Sequence, residues 1–268
     1  MLLTIGIPSY MNAGEVWFTI QCLRTYCSID FSCTEILVVD NWGMVETSGR
    51  SVLQGYIKSC NNNNIRYVQY TEVVGVSAAK NKIFELARGK YVLCIDSHIL
   101  LDKNFFKDME LPEGGDLVQG PLLLSDGGYH IDRLDSWENG FWTKWGRPIY
   151  DLPKHSVPIW ANGAGMFLTS RKDWLGFNKN FIGFGGETGY IQEKYRMNGR
   201  KVLCNPKLVW QHLFFCYGKI KYPVTVEEKI RNYLFAYYEI GRDTTEIYNN
   251  FDYALVEDID TKLVRPFL

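Results

Sequence analysis

The chain has 268 residues, 46% of them hydrophobic and 22% charged, with a formal net charge of −1. That length suits one large domain or two intimately joined ones with a substantial core, in a composition ordinary for a soluble protein. Near-neutrality excludes the overall charge footprint of a nucleic-acid or acidic-membrane binder, leaving only a local patch for such a role.

Seven cysteines stand at positions 22, 27, 33, 60, 94, 204 and 216, with no Cys-x-x-Cys pair, so a zinc ribbon is not expected. They read as reduced structural thiols of an intracellular, cytoplasmic protein. No apolar run approaches the ~20 residues of a membrane span, and Met1 to Pro8 reads as a strand rather than a signal peptide. Aromatic residues make up 15% of the chain, which suits a sugar-handling cleft and a plain core alike.

In chain order, Leu2 to Pro8 is a short apolar strand stopped by proline, and Ser9 to Gly14 a loop. A helix follows from about Glu15, with Val16, Ile20, Leu23 and Cys27 at helical spacing on one face. Glu35 to Asp40 is a buried strand ending on a carboxylate, so strand, helix and strand imply a parallel βαβ unit. Gly49 to Ser59 reads as a helix and Ile65 to Tyr70 as a third strand. Gly75 permits a tight turn, and Ala79, Ile83, Leu86 and Ala87 give the next helix a core-facing stripe that Gly89 ends.

Tyr91 to Ile95 is again a buried strand, and it runs directly into Asp96, Ser97 and His98. Residues i and i+2 of an extended segment point to one side, so Asp96 and His98 can grip one cation. Carboxyl ends of such strands are where open α/β sheets bind ligands. Spacing alone leaves a turn-starting Asp and a packed His as an equal reading, because Asp-x-His is a weak motif.

Beyond Leu101 the rhythm breaks into segments punctuated by glycine and proline, with Asp116 to Pro121 followed by an aromatic stretch from Tyr129 to Tyr150. That stretch reads as an acceptor loop or as a core excursion. Helical spacing puts Trp142 and Trp145 on one face and Trp137 about 140° away, so at least one of the three is expected to line a cleft. Phe184-Gly185-Gly186-Glu187 opens a helix that Gly199 closes, with Glu187 in the first turn as the helix dipole prefers. Lys201 to Cys204 is a strand, Val209 to His212 follows Pro206, and Thr225 with Glu228 forms a capping box. Val226, Ile230, Tyr233 and Tyr237 share a face of the helix so started, and the acidic tail near Glu257, Asp258 and Asp260 carries no functional reading.

Gly75-Val-Ser-Ala-Ala-Lys-Asn81, Ala87-Arg-Gly-Lys-Tyr91 and Ile95-Asp-Ser-His98, in this order, resemble the GT-A-fold glycosyltransferases. The Asp-Ser-His variant, with the later Phe-Gly-Gly-Glu and a distal His, looks most like the polypeptide N-acetylgalactosaminyltransferases, over about residues 1 to 215. The resemblance implies an α/β, Rossmann-like GT-A fold with a mostly parallel central sheet. It divides the chain into a nucleotide-sugar half (1–101), an acceptor half (102–222) and a C-terminal helix and tail (223–268).

It also implies a metal-dependent transfer of a sugar from UDP or another nucleoside diphosphate to an acceptor hydroxyl on a glycan, a protein or a modified DNA base. Asp96, His98 and the distal His212 would hold Mn2+, with Mg2+ as the alternative. Activity would then fall below about pH 6.5 as the imidazoles protonate. Donor contacts are expected from the Ile-Pro-x-Tyr loop (Pro8, Tyr10), the strand-end Asp40, Lys80, Ser97, the Asn162-Gly163 turn and Gly186. Glu15 is the matching ribose contact, although it stands two residues further along than in the family, and Lys80 stands where the family usually has Arg. Glu187 is expected as catalytic base or acceptor ligand; the resemblance leaves retention or inversion open. Two alternatives are a catalytically silent nucleotide-binding scaffold, disfavoured by the intact Asp and His residues, and a metal-dependent nucleotidyltransferase, which the Phe-Gly-Gly-Glu element fits less well.

Overall fold

A computed structural model describes residues 1–43, 48–107, 109–213, 222 and 224–268. The first part of the chain runs β1 (Leu3–Ser9), α1 (Ala13–Gln21), β2 (Thr34–Asp40), α2 (Ser48–Ser59), β3 (Ile65–Gln69), α3 (Val76–Leu86) and β4 (Tyr91–Ile95). Then come β5 (Ile99–Leu101), β6 (Leu117–Gln119), β7 (Leu122–Leu123), β8 (Tyr129–His130), β9 (Arg133–Glu138), β10 (Phe141–Trp145), β11 (Val157–Pro158) and β12 (Met166–Ser170). The last part is α4 (Glu187–Met197), β13 (Val202–Cys204), β14 (Trp210–His212), α5 (Val226–Glu239), α6 (Thr245–Asn250) and α7 (Tyr253–Ile259).

The central sheet has the order β11-β13-β6-β12-β4-β1-β2-β3. The strands β4, β1, β2 and β3 are mutually parallel, as the βαβ reading requires, while β12 is antiparallel to β4 and β6. Strands from both sides of residue 101 thus share one sheet.

Alternation along β2 explains the layering. Ile36 and Val38 enter a core with α1, α2 and β5, whereas Leu37 and Val39 enter another with α3, α4 and α5. All four are fully buried, so helices must cover both faces. The expected apolar face of the first helix is present, with Val16, Ile20, Leu23 and Cys27 all buried. The helix ends in a π turn over Cys22–Tyr26, closed by Cys27 N–H bonding to the Cys22 carbonyl at 2.9 Å. Thr225 Oγ1 accepts the Glu228 N–H (3.1 Å) at the start of α5, the forward half of the expected capping box. The six cysteines among the described residues are free thiols; Cys216 lies outside those residues.

The Trp-rich stretch is not helical. It forms the β9–β10 hairpin, in which Trp142 pairs with Trp137. Helical spacing therefore misjudged its faces. Trp142 is buried, and Trp137 packs edge-on against Tyr233 (4.8 Å) while donating to Glu246 (3.1 Å).

One buried charge ties β2 to its neighbours β1 and β3 and to the turn before β4. Glu35 on β2 accepts from Thr4 Oγ1 (2.7 Å), Arg88 N–H (2.7 Å) and Arg66 Nη1 (2.9 Å), with its side chain wholly enclosed. Burial opposes its charge, but these donors win and hold the carboxyl below its ordinary range. Glu35→Gln should lower the unfolding free energy by about 3 kcal/mol at pH 7, because Arg66 loses its counter-charge. A depressed carboxyl stabilises above its unfolded pKa of about 4.3 and loses that contribution on acidification. Urea denaturation should therefore show the gap between the two proteins narrowing below about pH 4. A gap that is absent at pH 7, or that widens in acid, would contradict this assignment.

Candidate active site

Asp96 stands one residue past β4, and its N–H bonds the Gly165 carbonyl (2.8 Å) just before β12. Ser97 and His98 turn the chain into β5. There the pairing of a small second sheet, ordered β5-β14-β7-β8, decides the site. Strand β14 runs antiparallel to β5 with His212 opposite Ile99, and Leu213 N–H bonds the His98 carbonyl at 3.0 Å. That register places the His212 ring edge-on against the His98 ring, with centroids 4.3 Å apart. One ligand atom each from Asp96, His98 and His212 lies within 4.8 Å of the others. Two ligands on opposite sides of one cation sit about 4.4 Å apart at bond lengths near 2.2 Å, so the three atoms could hold one ion after side-chain shifts of a few tenths of an ångström.

The electrostatics match a cation-binding set. Burial works against the Asp96 charge, but the Lys80 ammonium 3.0 Å from Oδ1 and the two histidines hold its carboxyl far below the usual range. The other oxygen, Oδ2, faces His212 Nε2 at 3.8 Å. Burial pushes His98 down despite the Asp96 charge, which favours the neutral imidazole a metal needs. Lys80 itself is almost fully buried and donates to the Ala164 carbonyl (2.6 Å). Burial lowers its pKa, the Asp96 charge outweighs that, and the ammonium stays protonated.

A cleft opens over this cluster. It is lined by Pro8, Tyr10, Glu15, Lys80, Asp96, Ser97, His98, Gly163, Glu187 and His212, so ten of the expected site residues meet in one place. Three do not line it. Asp40 is buried, and its carboxylate accepts from Arg50 Nε (2.8 Å), the Tyr67 hydroxyl (2.5 Å) and Trp42 N–H (3.1 Å). Asn162 is buried and spends its amide on the Gly120 and Ile131 carbonyls (3.1 Å each), accepting from Gly163 N–H (2.6 Å); it shapes the turn. Gly186 has φ 95°, and a Cβ there would come 2.9 Å from Asn232 Cβ, so its glycine serves packing on α5.

Glu187 is not a first-turn residue of a regular helix. Thr188 and Gly189 depart from helical geometry immediately after it, and both of its carboxylate oxygens accept the Gly185 N–H at 3.1 Å. Burial raises the Glu187 carboxyl above its ordinary value.

The cleft also contains residues outside the expected donor, metal and catalytic set. Gly165 is one: a Cβ there would lie 3.0 Å from the Trp210 ring and 3.2 Å from Asp96 Oδ2. Asn12 accepts from Ser9 Oγ (2.8 Å) and Tyr10 N–H (3.0 Å) and donates to Ser97 Oγ. Tyr222 stacks on Tyr10 with centroids 4.3 Å apart, and Arg133 closes the far end with Trp145, the one of the three tryptophans that lines the cleft. Asn12 and Gly165 had signals, the Asn that pairs in the family with the Glu displaced here to Glu15, and the run of small residues after Asn162 that lets backbone approach a donor sugar; Tyr222 and Arg133 had none.

No curated protein matches the chain in sequence. Among solved structures, GalNAc-T7 with UDP, GalNAc and Mn2+ superimposes with a TM-score of 0.66 at 15% identity, over 97% of this chain and 54% of that one. The chain thus spans about half the length of that relative. The mannosyltransferase PcManGT from Pyrobaculum calidifontis, in complex with GDP-Man and Mn2+, gives 0.58 at 13% identity, over 94% of this chain and 69% of that one. S. aureus TarS 1-349 in complex with UDP-GlcNAc gives 0.54 at 15%, over 97% and 70%. At such identities these likenesses establish the fold, which is GT-A. Residues 4–150, more than half of the chain, match the family model "Glycosyl transferase family 2", and the chain belongs to that family of glycosyltransferases.

Proposed function

We propose that the protein moves a sugar from a nucleoside diphosphate sugar, with UDP as the nucleotide, to an acceptor hydroxyl, using a divalent metal held by Asp96, His98 and His212. The observation that carries this is the convergence of those three ligand atoms in the cleft that Glu187 also lines. Mn2+ suits a mixed carboxylate and imidazole set, with Mg2+ second. Complexes of the fold neighbours with UDP, GDP-Man, UDP-GlcNAc and Mn2+ support the same donor chemistry.

When bound, the metal supplies Lewis-acid neutralisation of the departing diphosphate. The chain's own residues do the rest. Lys80 adds a fixed positive charge beside Asp96, in a site where burial strengthens it. Tyr10 and Pro8 offer a surface for the nucleotide, with Asp40 and Arg50 bracing the wall behind it. Glu187 takes the proton of the acceptor hydroxyl, on a glycan, a protein or a modified nucleobase.

The test is a hydrolysis screen of nucleotide sugars with Mn2+ and no acceptor, read as nucleotide release. UDP release from at least one UDP-sugar, lost on adding a chelator, is the expected result. UDP binding by calorimetry without release from any nucleotide sugar would leave a silent nucleotide-binding scaffold, and the absence of both release and binding would refute the proposal.

A further inference from the structure

Arg133 opens β9, and its guanidinium is held in place without an acid. Nε donates to Thr143 Oγ1 and Nη2 to the Thr143 carbonyl, both at 2.6 Å, and the group lies 4.5 Å above the Trp145 ring. The stack continues to His130, whose ring lies 4.9 Å from that of Trp145 at 16°. Burial lowers His130, favouring its neutral form and sparing Arg133 a second cation. Among the described residues no carboxylate forms an ion pair with Arg133; Glu138, on the same strand, favours its charge only from beyond ion-pair distance and itself pairs with Lys144 at 2.9 Å. Burial lowers the guanidinium to about 10, still charged at neutral pH. A partly desolvated cation without a counter-ion is costly unless a ligand supplies one. Arg133 lines the cleft, so a ligand can reach it.

The position separates this cation from the metal ligands. Arg133 N–H bonds the Ala161 carbonyl (2.8 Å), Trp145 faces Gly163, and Gly165 faces Asp96. The Arg133 guanidinium, stacked on Trp145, thus meets the stretch 161–165 near Gly163, and Asp96 meets it at Gly165, so the two charged places stand against different residues of one cleft wall. The donor diphosphate belongs at the Asp96 and Lys80 end. We propose that the acceptor carries a carboxylate or phosphate group, bound by Arg133 at the hairpin end of the cleft. This rests on the glycosyltransfer reading above. Charge-assisted, forked hydrogen bonds to such a group would complete the ion pair that the protein leaves open.

The experiment uses the full chain loaded with UDP and Mn2+, so that the donor end is filled. D-glucuronate and glucose 6-phosphate are titrated by calorimetry against methyl glucoside. Both anions should bind at least tenfold more tightly than the neutral sugar. Arg133→Gln should erase that preference while UDP affinity and the melting temperature stay near wild type. Arg133→Lys, a point charge without the fork, should keep part of it, and it decides the matter if the Gln variant does not fold. Absence of any anion preference in the wild type, or its survival in Arg133→Gln, would overturn the proposal and reduce Arg133 to a prop for Thr143, which sits at φ 80°. Weakened UDP binding in Arg133→Gln would overturn it too, by giving the cation to the diphosphate. A second arm compares UDP-glucuronate with UDP-glucose. An Arg133-dependent preference there, with none for free glucuronate, would place the anion on the donor sugar and refute the acceptor assignment. Failure of the glycosyltransfer reading is seen separately, as no UDP binding by the wild type, and the anion preference is then read from the same titrations without nucleotide.

Discussion

Replacing Asp96 with Asn should remove Mn2+-dependent binding of UDP and lower turnover by more than the 10–100-fold typical of outer-shell substitutions at metal sites. Asp96 is the only carboxylate of the three-residue cluster, so its loss leaves two neutral imidazoles facing a divalent ion. Asn keeps an oxygen for Lys80 and preserves the packing around Gly165. Asp96→Ala would be a harsher test and a less clear one. It would strand the buried Lys80 ammonium, and breaking a buried pair from one side costs about 3–5 kcal/mol of stability. Both variants take the counter-charge from Lys80 and should melt earlier than wild type, Ala more so because it also removes the oxygen that Lys80 bonds. Both should bind UDP no better with Mn2+ than with chelator, so the metal reading is taken from the chelator comparison on protein that is still folded. If UDP bound wild type, chelated wild type and Asp96→Asn with one affinity, the metal reading would be wrong.

The register that delivers His212 shows where sequence reasoning was strong and where it was not. The continuous apolar runs Ile36 to Val39 and Tyr91 to Ile95, each ending on a carboxylate, were enough to place the parallel strands and their ligand ends, because burial on both faces demands such runs. The meeting of His212 with His98 rests on a three-residue strand pairing across more than a hundred residues. Nothing local in Val209 to His212 encodes that, so family resemblance carried it. The Trp-rich stretch failed for the opposite reason. Its charged and aromatic residues fit several periods, and only the Trp142–Trp137 pairing and the left-handed turn at Asn139-Gly140 make it a hairpin. Asp40 sits at the strand end, as read, but its carboxylate is spent on Arg50 and Tyr67, partners far from it in sequence. Arg133 was invisible because the absence of an acid partner is a property of three-dimensional packing alone.

Glu187→Gln is expected to lower kcat by about 10²–10⁴-fold, the usual share of a positioned general base, with donor affinity nearly unchanged. The geometry makes the variant informative. Both Glu187 oxygens accept the Gly185 N–H, and a Gln carbonyl can still accept it. The turn before α4, in which Thr188 and Gly189 are non-helical, is therefore kept, and only basicity is lost. Burial also predicts the pH profile. It raises the Glu187 carboxyl above the ordinary carboxylate range, so the base form is lost at a less acidic pH than for an exposed Glu. In the wild type kcat should fall as pH drops through that raised value, because protonated Glu187 cannot take the acceptor proton. The Gln variant should lack this acid limb while retaining UDP and Mn2+ binding by calorimetry. Turnover within about threefold of wild type, or an acid limb identical in both proteins, would return Glu187 to a turn-forming role and move the base elsewhere in the cleft.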